Sequence, residues 1–267
     1  MAPQTRTKKT PFIAAGVLLF ALIGSIFFFT KEKLDQNYCA TDTSKQGVTV
    51  LLIDASDELS EAQKAGLTSE LRNLTSPRGR TNEALLNKGD RLAVYLLGED
   101  QNDLERIFNM CNPGSLNERT FSEKASEGDI YAGIRWETFS QGILKEVNQK
   151  IRKATSNQTS PLIETIKHIQ AAEFLPSDVN AHGREFRLVV VSDFLQNSGI
   201  ATHYGRLPDV RTVFKRVPVD FGNAEVRMWL LKSRSHLHLQ NGAHTAWWRS
   251  YFALANAKLR QEKAKSF

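Results

Sequence analysis

The sequence predicts a doubly wound α/β domain with a mainly parallel sheet, preceded by one transmembrane helix. Three observations predict it. Residues 12–29 carry no charge and only one polar side chain, Ser25. Three apolar runs, Val48–Ile53, Arg91–Leu97 and Phe186–Ser192, are closed by Asp54, Gly98 and Asp193. The first and third read as strands buried on both faces. Helical patterns separate the runs, which requires crossover connections and a parallel sheet.

The 267 residues include 35 Lys+Arg against 29 Asp+Glu, a formal net charge of +6. Three of those positives, Arg6, Lys8 and Lys9, lie in the first 30 residues, which hold no acid, so the rest carries only +3. That balance argues against a nucleic-acid-binding surface. A hydrophobic content of 41% suffices for a folded core, and 24% charge is ordinary for a globular domain. Two cysteines are too few for a disulfide-rich scaffold or a four-Cys zinc site.

At about 1.5 Å per residue, the run 12–29 spans roughly 27 Å, close to the hydrocarbon thickness of a bilayer. Arg6, Lys8 and Lys9 precede it, and Lys31, Glu32 and Lys33 follow it. It ends Phe27-Phe28-Phe29, with no small-residue cleavage site, so it reads as an uncleaved signal-anchor. Residues 1–30 form a cytoplasmic tip and anchor, 31–46 a polar linker, and 47–267 the globular domain. The flanking charges favour a cytoplasmic N-terminus. Cys39 precedes the first core strand and Cys111 follows a short apolar segment. Two cysteines at strand ends suit one disulfide in an oxidising compartment, or else two unrelated buried thiols. Together these features place the domain outside the cytoplasm, periplasmic or extracellular.

The elements follow in order. Ser60-Glu61-Ala62-Gln63 is a capping-box pattern opening a helix to about Leu74. Gly89-Asp90 leads into the second strand, Leu104–Met110 makes a short edge strand, and Asn112-Pro113-Gly114 is a turn. Residues 114–135 read as loop. Trp136–Lys153 reads as a helix, with Phe139, Ile143, Val147 and Ile151 at helical spacing. Ser160-Pro161 puts a hydroxyl at the N-cap and proline at the first position of a helix to about Phe174. Tyr204–Lys215 holds a helical stretch, and Glu225–Lys232 is a strand. Thr245–Lys263 is a final amphipathic helix with Trp248, Phe252 and Leu259 on one side.

Doubly wound sheets bind ligands at the carboxyl ends of their strands. That directs attention to Asp54-Ala55-Ser56, to the segment around Ser160, and to Asp193. Carboxylates and hydroxyls on separate loops make an oxygen-only set, which suits magnesium. The order of elements and these loops resembles a von Willebrand factor A domain. That family carries Asp-x-Ser-x-Ser after its first strand, a Thr opening a later helix, and an Asp after a later strand. Here the first motif stands as Asp54-Ala55-Ser56-Asp57-Glu58. Ser160, rather than neighbouring Thr159, takes the threonine place, because Leu162 and Ile166 then fall where the family's helix is apolar. Asp193 takes the last place. The resemblance covers about residues 47–262. It implies Mg²⁺ or Mn²⁺ ligated by Asp54, Ser56, Glu58, Ser160 and Asp193. Glu58 is the departure, because a neutral hydroxyl there leaves the metal electrophilic toward a partner's carboxylate. A glutamate either binds the metal and quenches that charge or points to solvent. The alternative is that Asp54 and Asp193 serve only as Asx caps of their own loops.

Other features read as structural. His236-x-His238 has same-face spacing on a strand but no third ligand nearby, and a solvated strand end accounts for it. Trp247-Trp248 with Tyr251-Phe252 fits a core face at helical spacing. Lys258, Arg260, Lys263 and Lys265 fit a solvated helix end. The sequence contains no Gly-x-Ser-x-Gly elbow, no phosphate-binding Gly-x-x-x-x-Gly-Lys loop and no Gly-x-Gly-x-x-Gly after a strand. The expected function is therefore a non-enzymatic, membrane-tethered module for protein partners in a membrane-associated complex. Its rivals are a structural subunit of an envelope or membrane complex with a degenerate site, and a metal-assisted hydrolase using Asp54 and Asp193. The hydrolase lacks a general base near either loop in sequence.

Overall fold

The computed structural model describes residues 34–43, 46–75, 86–97, 104–152, 159–174, 185–233 and 235–260. The apolar run 12–29 lies outside the described residues. Among those described, no helix is long and apolar enough to cross a membrane.

In chain order the elements are β1 (Val48–Asp54), α1 (Glu61–Leu74), β2 (Arg91–Leu97), β3 (Glu105–Cys111), a 3₁₀ turn (Leu116–Glu118), α2 (Phe121–Ser126) and α3 (Asp129–Ile151). Then follow α4 (Leu162–Glu173), β4 (Phe186–Ser192), α5 (Val210–Arg216), β5 (Glu225–Leu230), α6 (Gly242–Leu254) and β6 (Lys258–Arg260). The strands form one six-stranded sheet in the order β3-β2-β1-β4-β5-β6. Every pairing is parallel except that of β2 with β3. The mainly parallel α/β sheet expected from the sequence is therefore present. Alternation along the central strands divides the core in two. Val50, Leu52, Leu188 and Val190 pack with residues of α4, α5 and α6. Leu51, Ile53, Val189 and Val191 pack with residues of α1 and α3. Because both faces are covered, these strands read as unbroken apolar runs.

Several boundaries differ from the sequence reading. The segment 114–135 is not all loop. Thr120 and Glu123 form a capping box that opens α2, and α3 already begins at Asp129. The first turns of α3 bury only Ala132 while Ile130, Tyr131 and Ile134 stand exposed, so they carry no inward apolar stripe. Ser160 does not cap α4. Pro161 is the N-cap, and the Ser160 backbone pairs instead with Asn197. α5 starts only at Val210, where the Asp209 carboxylate accepts the Thr212 N–H at 2.8 Å. β5 stops at Leu230, and His236 and His238 lie in turns rather than on a strand. There the Gln240 side chain bonds both the Ser233 N–H (2.9 Å) and the Leu231 carbonyl (2.7 Å). The final helix ends at Leu254 because Asn256 turns left-handed, φ +53°, a conformation asparagine tolerates. Lys258–Arg260 then joins β5 as a parallel edge strand.

Cys39 and Cys111 are joined in a disulfide, with Cα atoms 4.9 Å apart. This decides between the two readings of the cysteines. The bridge fastens the segment ahead of β1 to the end of β3.

Candidate functional site

The order of strands places β1 between β2 and β4, the point where the chain's winding reverses. A crevice opens there at the carboxyl ends of the strands. Asp54 is the last residue of β1, and Asp193 directly follows β4. Asp54 is buried. One of its oxygens accepts the Ser56 N–H at 3.0 Å. The other accepts the Ser192 hydroxyl at 2.7 Å and the Ser160 hydroxyl at 3.2 Å. Ser160 is held by reciprocal backbone bonds with Asn197, both 2.9 Å. Asp193 accepts the Leu195 N–H at 2.9 Å, and its own carbonyl accepts the Gln240 side-chain amide at 3.0 Å. The buried Asp54 carboxylate thus ties the loop after β1 to the approach of α4 and the end of β4.

Two residues of this cleft escaped the sequence reading. Ser192 shows in the sequence only as the end of a strand, yet its hydroxyl donates to Asp54 and accepts the Phe194 N–H at 2.7 Å. Asp57 stands close enough to Asp193 in this cleft for the two carboxyls to influence each other's ionisation. Burial, and next the charge of Asp54, push the carboxyls of both Asp57 and Asp193 above the usual carboxylate range. Glu58 is exposed and lines the same cavity. The cavity measures about 740 Å³, and Asp54, Asp57, Asp193, Lys232 and Leu237 also line it. Among the described residues, no group of three or more His, Cys, Asp or Glu side chains is placed to hold a metal ion by itself. His236 bonds the Ser233 hydroxyl at 3.3 Å and stacks edge-on against Tyr204, while His238 is exposed.

The Asp193 loop is strained and clamped. Phe194 has φ +61°, which costs an aromatic residue about 1–2 kcal/mol. Its carbonyl accepts Trp248 Nε1–H at 2.8 Å and is bonded by His244 Nε2 at 2.8 Å and His203 Nδ1 at 3.3 Å. Trp248 is core, as its helical spacing predicts, and it also fixes the site loop.

His203 is 1% exposed, and its Nε2 has no hydrogen-bond partner among the described residues. Burial first, then the nearby His244, pushes its pKa down to about 4. The folded state therefore holds the imidazole neutral. Its stabilising effect is full above about pH 6.5, where the unfolded histidine is also neutral, and is lost as pH falls toward 4. The loss should reach about 3 kcal/mol. Asp57 and Asp193, with raised pKa values, act in the opposite sense: they favour the fold as pH falls. The total curve therefore mixes the two. The comparison to make is wild type against His203→Phe in urea unfolding at pH 7 and pH 4. Wild type should lose about 3 kcal/mol relative to the variant across that interval, and a constant difference contradicts a neutral buried His203.

No known protein family and no curated protein matches this chain. It is similar to solved structures that include proximal thread matrix protein 1 from the mussel byssus, at 10% identity and a TM-score of 0.34. That likeness covers 80% of this chain and 49% of the mussel chain, so this chain spans about half its length. Another is an aerotolerance-related membrane protein from Bacteroides fragilis, at 10% identity and a TM-score of 0.36, covering 81% of this chain and 92% of that one. At such scores neither likeness bears on function.

Proposed function

We propose that this chain is a membrane-tethered protein-binding module of the von Willebrand factor A type, holding its partner at the carboxyl edge of the sheet. In this reading Asp54, Ser56, Ser160 and Asp193 hold Mg²⁺ or Mn²⁺, with Glu58 at the rim. The observation that carries it is the crowding of Asp54, Asp57 and Asp193 in one cleft, where burial first and then the charge of Asp54 disfavour ionisation of Asp57 and Asp193. A divalent cation relieves that repulsion. The donors are hard oxygens, few enough to leave the ion several waters, as magnesium prefers. When bound, the ion supplies a position for a partner's carboxylate. The chain's own part is placement: Ser192 and Ser160 orient Asp54, and the Phe194 clamp holds Asp193. The run 12–29 supplies the tether, and the disulfide suits an oxidising compartment outside the cytoplasm. The reading assigns no catalysis to the cleft. A second reading is a structural subunit of a membrane or envelope complex that binds no ion. The N–H groups of Ser56 and Leu195, accepted by Asp54 and Asp193 at 3.0 and 2.9 Å, favour it, since they engage both acids as caps of their own loops without a cation.

Metal titration separates the two. An ion that binds only the fold raises stability by RT ln(1 + [L]/Kd), about 2.7 kcal/mol at a hundredfold excess over Kd. Mn²⁺ and Mg²⁺ should raise the melting temperature, chelator should reverse the rise, and Asp54→Ala should abolish it. Glu58→Ser locates the glutamate. Weaker metal binding in that variant makes Glu58 a ligand, and equal or tighter binding leaves it outside the coordination shell. No metal-dependent shift in either wild type or Glu58→Ser leaves the structural subunit.

A further inference from the structure

The large apolar side chains of one end of the fold are left outside it. Ile130 (78% exposed), Tyr131 (69%) and Ile134 (54%) project from the first turns of α3. Phe121 (84%) opens α2, and Leu116 (41%) opens the turn before it. Ile130 and Ile134 stand four residues apart, on one helical face. Arg119 binds these segments together, pairing with Asp129 and donating to the carbonyls of Glu123 and Glu127. Three ion pairs lie among these segments, Arg119–Asp129, Arg135–Glu127 and Lys88–Glu123, and Lys124 and Glu137 stand exposed beside them. Five large apolar side chains exposed within one short stretch of chain are poorly suited to bulk water.

Its position is informative. Cys111 ends β3 opposite Arg91, the first residue of β2, so this surface lies at the amino ends of the parallel strands. The cleft lies at the other end of the sheet. The segment 34–43 is fastened to the amino end by the disulfide, by the Cys111 N–H to the Asn37 carbonyl (2.9 Å), and by Arg135 over the Tyr38 ring (5.9 Å). Arg135 directly follows Ile134. Only residues 30–33 separate Leu34 from the end of the apolar run 12–29, at most about 18 Å of chain. An anchor at 12–29 therefore brings this surface to the bilayer without any further partner.

We infer that Phe121, Ile130, Tyr131 and Ile134 form the membrane-facing surface of the domain, seated among lipid headgroups and upper acyl chains. This rests on the anchor proposed above. Aromatic and aliphatic side chains of an interfacial helix enter roughly 5–10 Å into that boundary, and tyrosine favours it. The tether holds the surface at high effective concentration against lipid. With the amino end on the membrane, the Asp54–Asp193 cleft faces away from it.

The test uses the full chain in phosphatidylcholine–phosphatidylglycerol vesicles. A nitroxide is placed on Phe121→Cys, on Tyr131→Cys, or on His238→Cys beside the cleft. The native cysteines are paired and take no label. The first two labels should lose collisions with a water-soluble nickel chelate and gain collisions with oxygen, while the His238→Cys label stays accessible to the chelate. Equal chelate access at all three sites, with the chain resisting alkaline carbonate, overturns the surface and leaves the anchor standing. Release of the chain by carbonate overturns the anchor and the surface together. Protection that appears only at high protein-to-lipid ratio assigns the surface to a second copy of the chain and overturns the lipid contact.

Discussion

Replacing both Cys39 and Cys111 by serine should lower the unfolding free energy by about 4 kcal/mol. The bond joins residues 72 apart in sequence. In the chain-entropy model, closing a loop of that size removes about 4 kcal/mol of freedom from the unfolded chain. The segment 34–43 is also held by the Cys111 N–H bond to Asn37 and by the Tyr38–Arg135 contact. The Asp35 carboxylate organises only that segment, accepting the Asn37 and Cys39 N–H groups at 2.7 and 2.9 Å. The cleft lies at the opposite end of the sheet, so any metal response of the double serine variant should persist. Urea unfolding of wild type and variant measures the loss. Thiol counting checks the premise: unreduced protein unfolded in urea should show no free thiol. Two free thiols there, or a loss below about 1 kcal/mol, contradict the constraint.

The strands that carry the site were legible because burial on both faces leaves no choice but an unbroken apolar run. β1 and β4 are buried at every position, and the acids that stop them, Asp54 and Asp193, mark the sheet's carboxyl edge. α1 was legible because Ser60 and Gln63 cap each other through local bonds. β6 was not. Its three residues include two exposed cations, and the sequence before it continues the pattern of α6. Only the left-handed turn at Asn256 breaks that pattern. Ser192 and Asp57 escaped for another reason. Which of several neighbouring polar side chains turns into a cleft depends on how the loops meet in space, and no spacing rule records it. The same holds for Ser160, whose hydroxyl reaches Asp54 across 106 residues instead of capping its own helix.

Glu173→Ala should cost about 3 kcal/mol, the lower end for breaking a buried ion pair. Glu173 is the last residue of α4, and its side chain is 3% exposed. Its carboxylate pairs with Arg91 and accepts the Tyr95 hydroxyl at 2.5 Å, both from β2, while Arg106 of β3 stands 3.7 Å away. It therefore pins the far end of the helix whose approach carries Ser160. Alanine strands the Tyr95 hydroxyl beneath the helix, whereas Arg91, with 21% of its side chain exposed, keeps some access to water. That access holds the cost at the lower end of the range. Glu173→Gln should cost less, since its amide oxygen still accepts from Tyr95. Tyr95 reports the contact directly. Burial first, then Glu173, pushes its pKa up to about 12. Because the fold disfavours the phenolate, this contribution to stability is full below pH 10 and fades as pH climbs toward 12. In Glu173→Gln the neighbouring charge is gone while burial remains, so the phenolate absorbance should rise at lower pH than in wild type. Unchanged Tyr95 titration together with unchanged urea stability would show that Glu173 does not hold α4 to the sheet.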